Sequence, residues 1–386
     1  MATRTVSANG HDWFFDADAV ARPGERLRAL VRARLVDEIS GAPVVAPIAL
    51  RASRDDVSTR ASADGLVGLV AAPSRVLPHL AATPVDLSFE VRSPGFLPRT
   101  LRATLGPIAG FPDDFAPVDL GDVPLHRPGV VIAGRVLQNV APASVPLAGA
   151  TVEVDALWSQ SPPPYWIAPA LSEPPNLVTL SPALRCARAA GTTLSERALT
   201  FAALPQTLLK PVGSGATRLE LSDNDGLAAG LVLAIDIDTP SATEVIVIAS
   251  VVPASATDLP VRVTLEHPTA RLHRDGVRCA IATPQPVVTT DTLDRDAEPA
   301  DPTVFLAAAP TLADGAWAEI DDGVAPREYA RVARASASTD VHGFFALPPL
   351  ARVALVRLLV QHPAIADARP IVAIDPATPR LSLELE

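Results

Sequence analysis

The chain has 386 residues and a formal net charge of −11, with 32 basic against 43 acidic side chains. An acidic balance without a Lys/Arg cluster argues against a nucleic-acid-binding face and serves solubility instead. Hydrophobic residues make up 48%, aromatic ones only 4%, and 40 prolines are spread throughout, which predicts two to three domains of many short strands rather than long helices.

The first residues, MATRTVSANGHDW, contain no apolar core of a secretory signal, so synthesis in the cytoplasm without a signal peptide is expected. No apolar stretch of about 18 residues runs free of proline or polar interruption, so no membrane insertion is expected. Cys186 and Cys279 are too few for a metal site by themselves and are expected to be reduced and structural.

Residues 1–23 read as an N-terminal arm with one apolar cluster, Trp13, Phe14 and Phe15. Two readings fit it. Either it docks into a neighbouring subunit, or it forms a strand that covers the chain's own first domain; the second is preferred.

Residues 24–127 read as a first β-sandwich. VRARLVDEISGAPVVAPIALRAS gives a strand, a polar turn, a proline and a second strand. Val85, Leu87, Phe89 and Val91 alternate with the period of a half-buried strand. Residues 128–155 open a second sandwich in the same way, with VIAGRVLQNVAPASVPLAGATVEV echoing the first copy; its matching hairpin returns only at 335–386. TRASADGLVGLVAAP parallels STDVHGFFALPPL, with Asp64 and Gly65 standing for Asp340 and Gly343.

Residues 156–334 are therefore expected to be an insertion into the second sandwich, since exposed loops accept long additions at small entropic cost. Its first part carries Trp158, Tyr165 and Trp166 among prolines. These aromatics suit a carbohydrate or partner platform, and equally suit a plug between sandwich and insertion. A short helix is predicted within 183–204. Residues 217–251 and 303–335 form an internal repeat, each running strand, turn, strand ending in Ile-Asp, then Glu and an alternating strand, with Glu244 and Glu328 equivalent. With Leu265, Pro268, His273 and Gly276 fitting its tail, this pattern resembles a small β-rich module of phage-tail and baseplate proteins.

Spacing motifs for chemistry are missing. No His is followed by Glu three residues on, and no HExxH or CxxC occurs. His267 and His273 read as surface or capping histidines. Ser222–Asp223–Asn224–Asp225–Gly226 starts like a calcium loop but has Ala234 where the bidentate Glu belongs, so an Asx turn is expected. No G-x-S-x-G elbow or P-loop is present, and paired carboxylates such as Asp236/Asp238 read as solvated turns. No catalytic residue, metal or cofactor is expected.

The closing hairpin carries Thr339, Asp340, Gly343, Phe345, Leu347 and Leu350, with Pro348 and Pro349 as a strand stop. Together with GRV at 134–136 and PLAGATV at 146–152, it resembles the carboxypeptidase regulatory-like domain, a transthyretin-like (prealbumin-like) β-sandwich. The family's P-G-x-Y is replaced here by Ala351, Arg352 and Val353. The resemblance implies two tandem sandwiches, the second interrupted, and no active site. The expected function is a non-catalytic structural or adaptor subunit of a large assembly, most specifically the baseplate or tail accessory of a phage-tail-like contractile particle. Its expected partners are other protein subunits. The alternative is carbohydrate or cell-surface binding through residues 158–166.

Overall fold

A computed structural model describes residues 3–8, 11–16, 28–71, 84–106, 117–140, 143–159, 172–252, 260–375, 378 and 380–385. The described residues are all β, with no α-helix among them. The chain divides into two compact units, Met1–Pro128 and Gly129–Glu386.

In the first unit, strands Thr3–Ala8 and His11–Asp16 pair as an antiparallel hairpin, so the cluster Trp13, Phe14 and Phe15 lies on a strand; its side chains are outside the described residues. The sandwich proper packs a four-stranded sheet on a three-stranded one. The first sheet runs Ser58–Ala61, Leu66–Ala71, Arg28–Asp37, Val118–Leu125, and the second runs Ala49–Ala52, Val85–Arg92, Arg99–Leu105. The alternating apolar residues face inward: Leu30, Leu35, Leu69, Leu87, Phe89 and Leu105 are part of one core. Strands Arg28–Asp37 and Val118–Leu125, the first and last of the sandwich, lie side by side and parallel.

The second unit holds a sandwich of the same plan, except that the strand before the turn, Ser336–Ser338, joins the facing sheet, whereas Ser58–Ala61 stays beside Leu66–Ala71. Val131–Val140 pairs antiparallel with Phe344–Ala346 and parallel with the last strand, Arg380–Leu385. The facing sheet runs Ser336–Ser338, Thr151–Trp158, Leu355–Gln361, Ile371–Ala373. The likeness extends to single bonds. The Leu35 amide donates to the Gly65 carbonyl and the Val44 amide to the Leu35 carbonyl; the Val136 amide donates to Gly343 and the Leu147 amide to Val136 in the same way. Gly65 and Gly343 thus correspond. Asp340, however, corresponds to Ser62 rather than to Asp64, because the amides of Ser62 and Asp340 each close the turn on the carbonyl four residues later. The sequence pairing of Asp64 with Asp340 was led by residue type; the turn geometry decides otherwise.

Phe345 is 5% exposed and its neighbour Phe344 53%, as alternation on a pleated strand requires. Thr339 Oγ1 donates to the Leu147 carbonyl and accepts the Ala150 amide, while Asp340 accepts the amides of His342 and Phe344. These signature residues hold the hairpin's shape.

Between Thr151–Trp158 and Ser336–Ser338 stands the insertion. It holds two small β-modules. One is a six-stranded sheet in the order Thr290–Thr292, Thr193–Arg197, Trp317–Asp321, Glu328–Arg334, Leu177–Ser181, Thr303–Phe305. The other is seven-stranded, and its equivalent strands are Gln206–Thr207, Arg278–Pro284, Val232–Ile235, Glu244–Val252, Val261–Leu265 and Arg218–Leu221. Every strand pairing of the first module recurs in the second. The order along the chain differs: the first module is finished by two strands that precede the second module entirely. The copies are therefore permuted relative to each other. Separate cores fill each module, and Trp317, Tyr329, Val232 and Val245 pack together where the two meet.

The helix predicted within 183–204 is not formed. Residues 193–197 and 199–201 are strands: Thr193, Thr200 and Phe201 favour extended backbone, the first segment pairs on both sides with Thr290–Thr292 and Trp317–Asp321, and the second adds to Arg278–Pro284. The insertion is also fastened to its host. Leu177 and Phe305 lie in the sandwich core, and Thr179 and Thr303 both donate to the carbonyl of Pro349. Arg352, which stands where the family pattern departs, lies over the Phe305 ring and against Asp301.

Candidate functional site

The sequence named aromatic surfaces, and the structure moves one of them. Trp158 is the last residue of a central sandwich strand, paired with Leu355 and only 3% exposed. The strand continues three residues beyond the point where the insertion was placed, with Leu157 in the sandwich core. Trp158 offers no platform to a ligand. Tyr165 and Trp166 lie outside the described residues.

A cluster of buried charged residues lies elsewhere, at the joint of the two modules. Glu244 and Glu328 open equivalent strands, and both are buried. Glu328 accepts the backbone amides of Arg185 and Cys186 and the guanidinium of Arg188 at 2.9 Å. Glu244 accepts the amides of Ala270 and Arg271 and meets His273 Nε2 at 2.9 Å. Counted along the chain, Arg185, Cys186 and Arg188 stand where Ala270, Arg271 and His273 stand. Each carboxylate thus pins the loop that crosses the end of its own module, by two amides and one cationic or neutral nitrogen donor.

The two sites also reach into each other. Arg185 pairs with Glu244, and Arg271 donates to Ser181 at 2.7 Å. Burial raises the Glu244 pKa, but the His273 hydrogen bond, the Arg185 charge and the Ala270 amide outweigh it, and the carboxyl sits below its ordinary value. Arg188, 1% exposed, also meets Asp322 at 3.1 Å and donates to the Pro326 carbonyl. Beside it a shallow cleft of about 780 Å³ is lined by residues 187–193, Asp296, Asp321 and Asp322.

His267 and His273 are not surface or capping residues: both are buried, because the loop after Leu265 is bonded back onto its own module through Val212 and Ala216, with His273 against Glu244 and His267 against Pro326 of the other module. His267 Nδ1 lies 3.7 Å from Cys186 Sγ, and its Nε2 3.3 Å from the Pro326 carbonyl. Cys186 is half-buried; burial and then the Glu328 charge push its thiol pKa up, so it rests as a neutral thiol. Cys279 is fully buried at about pKa 12 and stands apart from it as a free thiol. Asp223 accepts the Asp225 amide at 3.1 Å, an Asx turn.

Sequence reasoning found Glu244 and Glu328 as equivalent positions. It missed Arg185, Arg188 and Cys186, whose segment shares with 264–279 only a Thr-Leu start and the glycines Gly191 and Gly276.

No known protein family matches the chain, and no curated protein matches it. Among solved structures, the chain is similar to the major pilin subunit of Bacillus cereus at 8% identity, covering 94% of this chain and 99% of that one, with a TM-score of 0.20. A score so low supports no conclusion about fold or function. No helix among the described residues is long and apolar enough to cross a membrane.

Proposed function

We propose that the chain is a non-catalytic structural or adaptor subunit of a larger protein assembly. The observation that supports this reading is how its buried charges are used. Glu244, Glu328, Arg185 and Arg188 tie backbone amides and module to module, which fixes shape. A nucleophile wants a lowered pKa, and the thiol beside His267 is raised instead.

The finer reading is a baseplate or tail-accessory subunit of a phage-tail-like contractile particle, assembled in the cytoplasm. Its supports are the tandem sandwiches with transthyretin-like hairpin residues and the insertion's likeness to baseplate modules. The test is affinity purification of the full-length tagged chain from its native host, followed by sizing and mass spectrometry. Stoichiometric recovery with tube, sheath or baseplate subunits in a megadalton-sized particle is expected. Recovery as a monomer without stoichiometric partners, or turnover of a substrate, overturns the reading.

A further inference from the structure

We propose that Cys186, His267 and Glu328 bind one thiophilic divalent cation of the zinc class. One donor atom from each residue lies within 4.8 Å of the other two. Two donors on one tetrahedral zinc, at bond lengths of about 2.3 Å to sulfur and 2.0 Å to nitrogen, are separated by about 3.5 Å. The 3.7 Å between Cys186 Sγ and His267 Nδ1 is that separation within a small adjustment.

The second contacts of each ligand agree. His267 Nε2 faces the Pro326 carbonyl, so Nε2 carries the proton and Nδ1 turns its lone pair toward the thiol. A backbone carbonyl in that role is the usual way a ligating imidazole is oriented. Glu328 Oε1 accepts the Cys186 amide and Arg188, whereas Oε2 accepts the Arg185 amide and keeps a second lone pair. Binding displaces the thiol proton to solvent, giving sulfur, nitrogen and oxygen donors with the fourth position left for water. Cys186 is half-buried, which gives an ion a way in. Arg185 and Arg188 oppose a dication here, and the ionised thiol, Glu328 and Asp322 offset them.

The permuted repeat supplies a contrast. In the other module the counterpart of Cys186 is Arg271, which hydrogen-bonds Ser181 across the joint. A hydrogen bond therefore suffices to hold that side. The Cys–His pair is a different solution, and it presents two soft-metal donors. No spacing motif announces it, because its ligands come from three segments well separated in sequence.

The experiment titrates the reduced, metal-free full-length chain with cobalt(II) and follows thiolate-to-cobalt charge-transfer absorption. Saturation at one equivalent is expected, with the band displaced by zinc. Cys186→Ser should abolish the band, Cys279→Ser should retain it, and His267→Asn should weaken binding at least tenfold. Zinc should raise the Tm of the wild type and not of Cys186→Ser, since a ligand stabilises only the state that binds it. Circular dichroism establishes that each variant is folded. For the wild type, protection of Cys186 from alkylation by added zinc gives a readout that needs no mutation. Absence of the band in the wild type, its survival in folded Cys186→Ser, or alkylation unaffected by zinc overturns the proposal.

Discussion

Gly343 lies at φ +78°, and a Cβ there would sit 2.6 Å from the Val136 carbonyl oxygen; Gly65, at φ +82°, would meet Leu35 at 2.7 Å. A left-handed backbone alone costs an L-residue about 1–2 kcal/mol, and the collision adds to that. Gly343→Ala and Gly65→Ala should therefore each lower Tm more than Gly149→Ala, where φ is +76° but the space is open. Equal losses in thermal melts would show that only the dihedral matters. On the next residues, Phe345→Ala should cost about 3–5 kcal/mol in denaturant unfolding, as emptying a core site does, and Phe344→Ala under about 1 kcal/mol. Glu244 adds a pH dependence. Its folded pKa lies below the ordinary 4.5, so the ionised form stabilises the fold at neutral pH, and that contribution falls away as pH drops below about 4.5 through the folded value. Tm measured from pH 7 to pH 3 should fall more steeply for the wild type than for Glu244→Gln, which starts lower at neutral pH. A Glu244→Gln profile parallel to the wild type would remove Glu244 from the account.

Because the last two strands of the first module come from earlier in the chain, that module can be made contiguous by a short cut. Arg197 and Thr290 end strands that already pair, with Ser195 opposite Thr290. Removing residues 198–287 and closing with Asn-Gly should give a hairpin and leave all six strands of the module in one uninterrupted stretch. The shortened chain should keep its β circular-dichroism signal and melt earlier, because Trp317 and Tyr329 lose the apolar cover of the second module. Loss of any cooperative transition would mean that the two modules fold only together. The permutation was not legible in the sequence. The repeat 217–251 against 303–335 was visible through its Ile-Asp and Glu positions, whereas the match of 179–194 to 264–279 rests on shared hydrogen bonds to the backbone, which tolerate Arg where the other copy has His. Nor does the sequence show the strands from residues 278–321 that pair with 193–197 and 199–201 and decide for strand over the helix predicted within 183–204. What periodicity did reveal were the strands that alternate cleanly, such as Val85–Arg92.

At the scale of the whole molecule, the sandwich plan could be read because turn chemistry repeats, with glycine at a left-handed position after a polar residue. The fastening of the insertion to the sandwich could not, since it depends on Arg352, Phe305 and Pro349 meeting from distant segments. Excising residues 159–334 tests how much that fastening matters. Glu153 pairs with Ser336, so Trp158 ends about 17 Å from the rejoining point at roughly 3.3 Å per residue, a span for a Gly/Ser linker of about eight residues. Both sandwiches should remain folded by circular dichroism, the second melting earlier for want of Leu177 and Phe305; aggregation without a cooperative melt would count against it. The parallel first and last strands of each sandwich have a mechanical meaning. A chain pulled by its ends loads Val131–Val140 against Arg380–Leu385 in shear, so that all the ladder bonds resist at once instead of opening one by one. Force crosses directly between those two strands, and everything strung between them, the insertion included, stays slack until that clamp fails.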